Sequence, residues 1–431
     1  MRRGWFGLCV AILIVLVGKA SAQAETCVAG APHVAEALNL YTAGAYTDAM
    51  NAFSCAIAAA PTDYSNYVGR MQSAVLARDY VRAVNDANTL NDYAPDLFTT
   101  TLQNYDTGLA ANPNDIHTLM FRALLNWVGA QDGLVIADTE LIIQLDPQNA
   151  FAWLFHGSSN KYLGDEFTPF ADFQMAVNLD EGNYSIYALI GSTHAQTNSL
   201  EDALLALNRA ILLNPQDARS YYFRGVVYSN QQDYSSAIQE YTTAINLQPT
   251  YLDPLFDRAQ MYTRQGNLDA AMNDFNRILE LDSGYKLAYL NRGVLQEWAG
   301  NIAAALPDFA RYIELNTTNG YLPALPALID GVTPVQIMPN QTAQLVISGS
   351  VGQIITITAA SPGGRVDPLV LLLAPDGVTP IAGSDDPSSG ERSPRIASFV
   401  LPQDGAYILY VTSSDPFVAN QGQVDVTITA G

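Results

Sequence analysis

The chain has 431 residues, room for two or three domains, and its 49% hydrophobic content is ordinary for a protein that packs a core. Its charge is not ordinary: 42 acidic residues face 20 basic ones, and removing the first 22 positions leaves 17 basic residues and a net charge of −25. No run of clustered Lys or Arg is present, which argues against nucleic acid as a partner. A neutral surface or a cationic partner stays open, as does simple solubility of an extended molecule.

The N-terminus carries an address. Arg2 and Arg3 form a charged start, residues 8–17 an apolar run, and Ala20, Ser21 and Ala22 a small-residue cleavage pattern. Ten apolar residues are too few for a bilayer, which takes about 20, so 1–22 is expected to be a cleaved signal peptide. The expected localisation is secreted or cell envelope/periplasm. Cleavage removes Cys9 and leaves Cys27 and Cys55, which an oxidising compartment favours pairing; two free thiols are the alternative.

A period of 34 dominates the next 290 residues. Pro113, Pro147, Glu181, Pro215, Pro249 and Ser283 each follow an apolar helical phrase, and Pro61 and Pro95 keep the same interval. The phrases resemble each other: AILLNP at 210–215, AINLQP at 244–249, ILELDS at 278–283.

With the proline numbered 32, the units resemble tetratricopeptide repeats. That family expects a bulky residue at position 4, small ones at 8, 20 and 27, and aromatics at 11 and 24. Residues 218–251 supply Tyr221, Gly225, Tyr228, Ala237, Tyr241 and Ala244; residues 252–285 supply Leu255, Ala259, Tyr262, Ala271 and Phe275. Residues 286–319 supply Tyr289, Gly293, Ala305 and Phe309, with departures at Gln296 and Tyr312; 116–149, 150–183 and 184–217 fit more loosely, and 30–63 and 64–97 are recognisable. In 150–183, Pro169 replaces the small residue at 20 and is expected to distort that helix. The 18 residues between 97 and 116 predict one extra helix. The resemblance implies an all-α TPR superhelix of about eight repeats, each burying its apolar face only against its neighbours. Leu322, Leu325, Leu328 and Ile329 are expected to cap the last flank.

Positions 7 and 23 change together: Arg70/Asp86, Arg122/Asp138, His156/Asp172, Arg224/Glu240, Arg258/Asp274 and Arg292/Asp308. The two units without a cation, with Glu36 and Ile190, have Ala52 and Ala206 at 23. This covariation predicts an internal ion pair across each helix pair, with a row of ligand-binding arginines as the alternative. In the same register Cys27 precedes the first helix and Cys55 ends the second, so a bridge there closes a loop worth about 3 kcal/mol.

From about Val335 the period falls to two. Residues 353–358, 369–373, 407–412 and 424–429 read as strands separated by Pro/Gly/Asp turns, predicting an all-β sandwich over 335–431 after a cap and linker at 320–334. The phrases VDPLVLLLAPDG (366–377), SDD (384–386) and FVLPQDGAY (399–407) resemble the bacterial pre-peptidase C-terminal domain, a non-catalytic appendage of secreted proteins. Some relatives bind calcium, and Asp367, Asp385, Asp386 and Asp404 offer oxygen ligands; solvated turn acids are the alternative.

No catalytic constellation emerges. His33, His117, His156 and His194 have no metal-ligand spacing, and SGSVG at 348–352 lacks the first glycine of a nucleophile elbow. The chain therefore reads as a non-enzymatic scaffold without a cofactor. Its first helices present an apolar and aromatic concave face through Trp127, Tyr162, Tyr222, Phe256 and Trp298, with Lys161 and Arg264 as isolated cations. These rings either contact a ligand or pack between repeats. The expected function is protein or peptide binding in that groove; the alternative is an accessory protein of an extracellular hydrolase or uptake system, its sandwich holding polysaccharide or matrix.

Overall fold

The computed structural model describes residues 27, 33–165, 167–317, 321–322, 324–327, 330–337, 341–362, 367–385, 394–414 and 422–430. The leader at 1–22, Leu328, Ile329 and Asp386 lie outside them. Seventeen helices among the described residues precede two β-sheets. The chain divides into two compact units, one ending at Gly266 and the other starting at Asn267.

The first unit holds α1 (His33–Thr42), α2 (Tyr46–Ala59), α3 (Ser65–Leu76), α4 (Tyr80–Tyr93), the single helix α5 (Pro95–Ala111), α6 (Ile116–Val128), α7 (Asp132–Leu145), α8 (Ala150–Tyr162), α9 (Thr168–Leu179), α10 (Tyr184–Gln196), α11 (Leu200–Leu213), α12 (Ala218–Asn230), α13 (Tyr234–Leu247) and α14 (Leu252–Arg264). Each 34-residue unit lying wholly within it is an antiparallel helix pair, and the turn is chemically regular. Asn149, Asn183 and Asp217, at position 34, accept backbone N–H bonds that start α8, α10 and α12; Asp79, Asp233 and Asn267, at position 16, do the same for second helices. Position 15 is left-handed in all eight repeats: Gly44, Arg78, Ala130, Gly164, Asn198, Gln232, Gly266 and Gly300. Only four of these are glycine, so the turn imposes the conformation on side chains that resist it.

Small residues at position 8 let the two helices of a pair approach. A Cβ added at Gly225 would fall 2.5 Å from the Tyr241 ring, and one at Gly293 2.7 Å from Phe309. Pro169 does not distort its helix. It sits in the first turn of α9, where its missing N–H costs nothing, and the helix starts later and runs 12 residues instead of 14.

The second unit holds α15 (Leu268–Leu281), α16 (Lys286–Trp298) and α17 (Ile302–Asn316), then β1 (Leu325–Pro326), β2 (Gly331–Ile337), β3 (Ala343–Gly349), β4 (Ile354–Ala360), β5 (Pro368–Leu373), β6 (Pro380–Ser384), β7 (Arg395–Val400), β8 (Gly405–Ser413) and β9 (Gly422–Ala430). The strands form sheets of order β1-β3-β8-β5-β6 and β2-β9-β4-β7. Alternate residues such as Leu345, Ile347, Ile355, Ile357, Val424 and Val426 fill the core.

The expected cap needs correction. Leu325 lies on edge strand β1 with nearly half its surface exposed, and Leu322 packs against the sandwich core. Strands β5 and β6 cover α17 instead. This is why β5 is buried at all six positions: Val370 and Leu372 face the sandwich core, while Leu369, Leu371 and Leu373 are buried outside it. Gly383 leaves room there for Leu306 of α17, and the buried Tyr312 hydroxyl donates to the Ser413 carbonyl at 2.9 Å.

Candidate binding groove

The side chains at positions 7 and 23 meet in five repeats. Arg70 Nη2 lies 2.6 Å from Asp86, Arg122 Nη2 2.6 Å from Asp138, Arg224 Nη2 2.9 Å from Glu240, and Arg292 Nη2 2.6 Å from Asp308; His156 Nδ1 lies 2.7 Å from Asp172. Burial pushes the Asp86 and Asp138 carboxyls up and the facing guanidinium opposes it.

The pair is half of the arrangement. From each of these arginines the other guanidinium nitrogen, Nη1, reaches back 16 residues into the preceding hairpin or helix: Arg70 to Ser54, Arg122 to Asp106, Arg224 to Asn208, Arg292 to Asn276. Arg258 donates likewise to Thr242, and Asp274 is buried on α15. The arginines therefore stitch successive hairpins, and the sequence signal for this second contact was a polar residue 16 positions upstream of each.

The expected groove is closed in the first unit. Positions 5 and 9 of α6, α8, α10 and α12 (Met120 and Leu124, Leu154 and Ser158, Ala188 and Ser192, Tyr222 and Val226) are all buried. Trp127 packs edge-on against Phe155 at 5.4 Å; Tyr222 sits among Phe223, Tyr241 and Tyr251 and donates to Asp257 at 3.1 Å; Phe256 is buried as well. All three rings pack inside the first unit. Tyr162 is half-buried and donates to Gln196 at 2.6 Å, Lys161 is half-buried, Arg264 is exposed and lies over the Tyr234 ring, and Trp298 on α16 is half-exposed.

Helix α4 also packs against these helices. Followed by the single helix α5, α4, the second helix of its own repeat, lies against the layer formed by α6, α8, α10 and α12 and packs on α6 and α10. Tyr80 stacks edge-on against Phe151 of α8 at 5.7 Å. Around it Arg78 meets Asp180 at 3.4 Å, Asn183 donates to the Arg78 carbonyl at 2.9 Å, and the Tyr184 hydroxyl donates to Asp79 at 3.2 Å. Farther along, Arg219 at the start of α12 donates to Asn85, and Asp92 lies near Asp253 at the start of α14. The contact points 79, 85 and 92 are about 9–10 Å apart along a helix rising 1.5 Å per residue. That matches the 8–10 Å between packed helices, so α4 crosses one inner helix per two turns.

The far end of this contact is acidic. Burial pushes Asp92 up to about 7, Asp253 to about 6 and Asp257 to about 7, with Asp253 adding repulsion to both neighbours and Arg219 opposing at Asp253.

Cys27 and Cys55 are bonded, with Cα atoms 5.5 Å apart. Among the described residues no group of three or more His, Cys, Asp or Glu side chains is placed to hold a metal ion. Asp404 accepts from Val351 N–H, the Asp367 carbonyl from Ser414 N–H, and Asp385 N–H donates to Glu297 of α16. Exposed apolar residues also lie on the second helices, Leu134, Phe170, Leu205 and Leu212, with Phe167 just ahead of α9. Their signal was apolar residues at positions 18–22 and 29, which the repeat pattern leaves to solvent.

Residues 189–251 and 255–319 match the family model for the tetratricopeptide repeat. No curated protein matches the sequence. Among solved structures the chain is similar to the APC/C hetero-tetramer Cut9-Hcn1 (14% identity, TM-score 0.45, 66% of this chain and 52% of that one). It is also similar to MamA (25%, 0.32, 37% and 92%) and to YrrB, a TPR protein with an unusual peptide-binding site (17%, 0.31, 43% and 95%). The chain thus spans about half the length of the Cut9-Hcn1 chain it matches. The hairpins from 189 to 251 and from 255 to 319 are tetratricopeptide repeats.

Proposed function

We propose that the protein is an exported, non-catalytic scaffold that binds a protein or peptide segment through the inner face of its repeats. The observation that carries this is the inner face itself: from α6 to α12 it is an apolar surface that accepts a helix lying across it, at present α4. The leader pattern at 1–22 and the bond between Cys27 and Cys55 agree with an oxidising compartment. The sandwich, whose motifs resemble the pre-peptidase C-terminal domain, serves as a structural end-piece, because β5 and β6 lie on α17.

The test is in-cell crosslinking followed by mass spectrometry on the tagged full-length chain. The expected result is a mature N-terminus after residue 22 and crosslinks from a partner protein to inner-face residues such as Lys161. Crosslinks confined to the sandwich, or a mature chain that retains the leader in the cytoplasm, would overturn the proposal.

A further inference from the structure

Position 18 is exposed in seven of the eight repeats: Thr47, Gly133, Phe167, Glu201, Ser235, Asp269 and Ala303. In α4 it is Val81, 4% exposed. Tyr80 and Val84, at 17 and 21, are also buried, while Leu200 and Leu204 of α11 and Tyr234 and Ile238 of α13 are only half-buried. The face of α4 that a repeat normally turns to solvent or to the next hairpin is therefore covered here. Its polar flank is matched too: Asp79 to Tyr184, Asn85 to Arg219, and Arg78 to Asp180 and Asn183.

This is the geometry of an amphipathic helix laid in an apolar groove, with the ligand supplied by the chain itself. We infer that α4 is a built-in competitor: the inner face of α6 to α14 binds a partner's amphipathic helix in the place α4 now holds, and α4 must leave for it to bind. The helix that fits has an aromatic and two β-branched residues in the spacing of Tyr80, Val81 and Val84. It also carries carboxylate or amide groups six to seven residues apart, facing the starts of successive inner helices. Asp86 is held to Arg70 of α3 by a 2.6 Å ion pair, so α4 leaves together with α3. This inference rests on the scaffold reading for its biological meaning, although the competition itself does not need an external partner.

The probe is a fluorescent synthetic peptide of residues 78–94, titrated onto the full mature chain and onto two variants. Tyr80→Ala removes the ring that packs on Phe151; Arg78→Ala/Asn85→Ala removes two contacts made by exposed side chains and leaves the core untouched. The peptide is expected to bind the double variant several-fold, and Tyr80→Ala at least tenfold, more tightly than the wild type. Hydrogen exchange in α4 is expected to accelerate when peptide is added. Equal affinity for all three proteins, no binding to any, or binding without faster exchange in α4 overturns the inference. Should Tyr80→Ala lose its helical circular dichroism, the double variant decides alone. A crosslinked partner that binds all three proteins equally would leave the scaffold reading standing and remove this one; peptide binding in the expected order without any partner would do the reverse.

Discussion

Arg122→Ala isolates the cost of a stranded carboxylate. Asp138 has 5% of its side chain exposed and receives two short bonds from Arg122, at 2.6 and 3.0 Å. Truncating the arginine leaves the carboxylate buried against α6 with no cation, a loss of about 3–5 kcal/mol, whereas replacing both partners with apolar residues is close to neutral. The contact to Asp106 adds little, because that carboxylate is more than half exposed. Urea unfolding followed by circular dichroism, on Arg122→Ala, Asp138→Ala and Arg122→Met/Asp138→Leu, gives the coupling. The double variant is expected within about 1 kcal/mol of wild type.

The sign of the pH dependence provides a second check. Burial already holds the Asp138 carboxyl above its ordinary value, and Arg122 opposes that shift. Without the arginine the folded pKa rises further above the unfolded one, so the folded state binds the extra proton. Stability is then retained at low pH and lost as pH rises through the folded pKa, and the Arg122→Ala deficit should be larger at pH 8 than at pH 5. Single variants that each cost less than about 1 kcal/mol and add without coupling would refute the internal-clamp account.

The left-handed turn position makes Ala130→Gly and Gln232→Gly stabilising by about 0.5–1 kcal/mol, and Gly300→Ala destabilising by about 1 kcal/mol, in the same urea assay. Removing the bridge with Cys27→Ser/Cys55→Ser is expected to cost about 3 kcal/mol, seen as faster proteolysis of the first hairpin. Tyr312→Phe leaves the buried Ser413 carbonyl without its donor and should lower the stability of the second unit by about 1 kcal/mol, read from the urea midpoint. Asp92, Asp253 and Asp257 have folded pKa values above the unfolded one, so their contribution is complete below about pH 4 and is lost as pH rises through about 6 to 7. Asp257→Asn should flatten that slope, and an unchanged slope between pH 5 and 8 would contradict it.

What the sequence made legible follows from how local each constraint is. The repeat register could be read because positions 8, 20, 24 and 27 pack within one hairpin, as Gly225 does against Tyr241. The paired charges could be read because Arg122 and Asp138 vary together across a fixed 16-residue step. The strands could be read from period two in β4 and β9, but not the burial of both faces of β5, which depends on α17 arriving beside it. The left-handed turn was masked because Arg78, Ala130, Asn198 and Gln232 occupy half of its positions. Trp127, Tyr222 and Phe256 were legible as inner-face residues, but the contacts of α4 with Phe151, Tyr184 and Arg219 were not, since no local pattern in 64–97 announces them.

Those contacts accompany one insertion. A helix stack built of pairs keeps first helices inside and second helices outside, and two added helices would preserve the rule. The lone α5 breaks it, and the helix before it, α4, lies against the inner layer, packing on α6 and α10. Its residues Tyr80, Val81 and Val84 are buried there, Tyr80 against Phe151. Burying three such side chains contributes on the order of 5 kcal/mol, which suffices to hold the arm in place and to set an energetic threshold for any competitor. A partner helix that merely equals α4 gains nothing from the exchange, because α4 competes at the high effective concentration of a tethered ligand. Selectivity in such a groove comes from outbidding the resident helix, and the polar matches at Asp79, Asn85 and Asp92 define where a better ligand must differ from it.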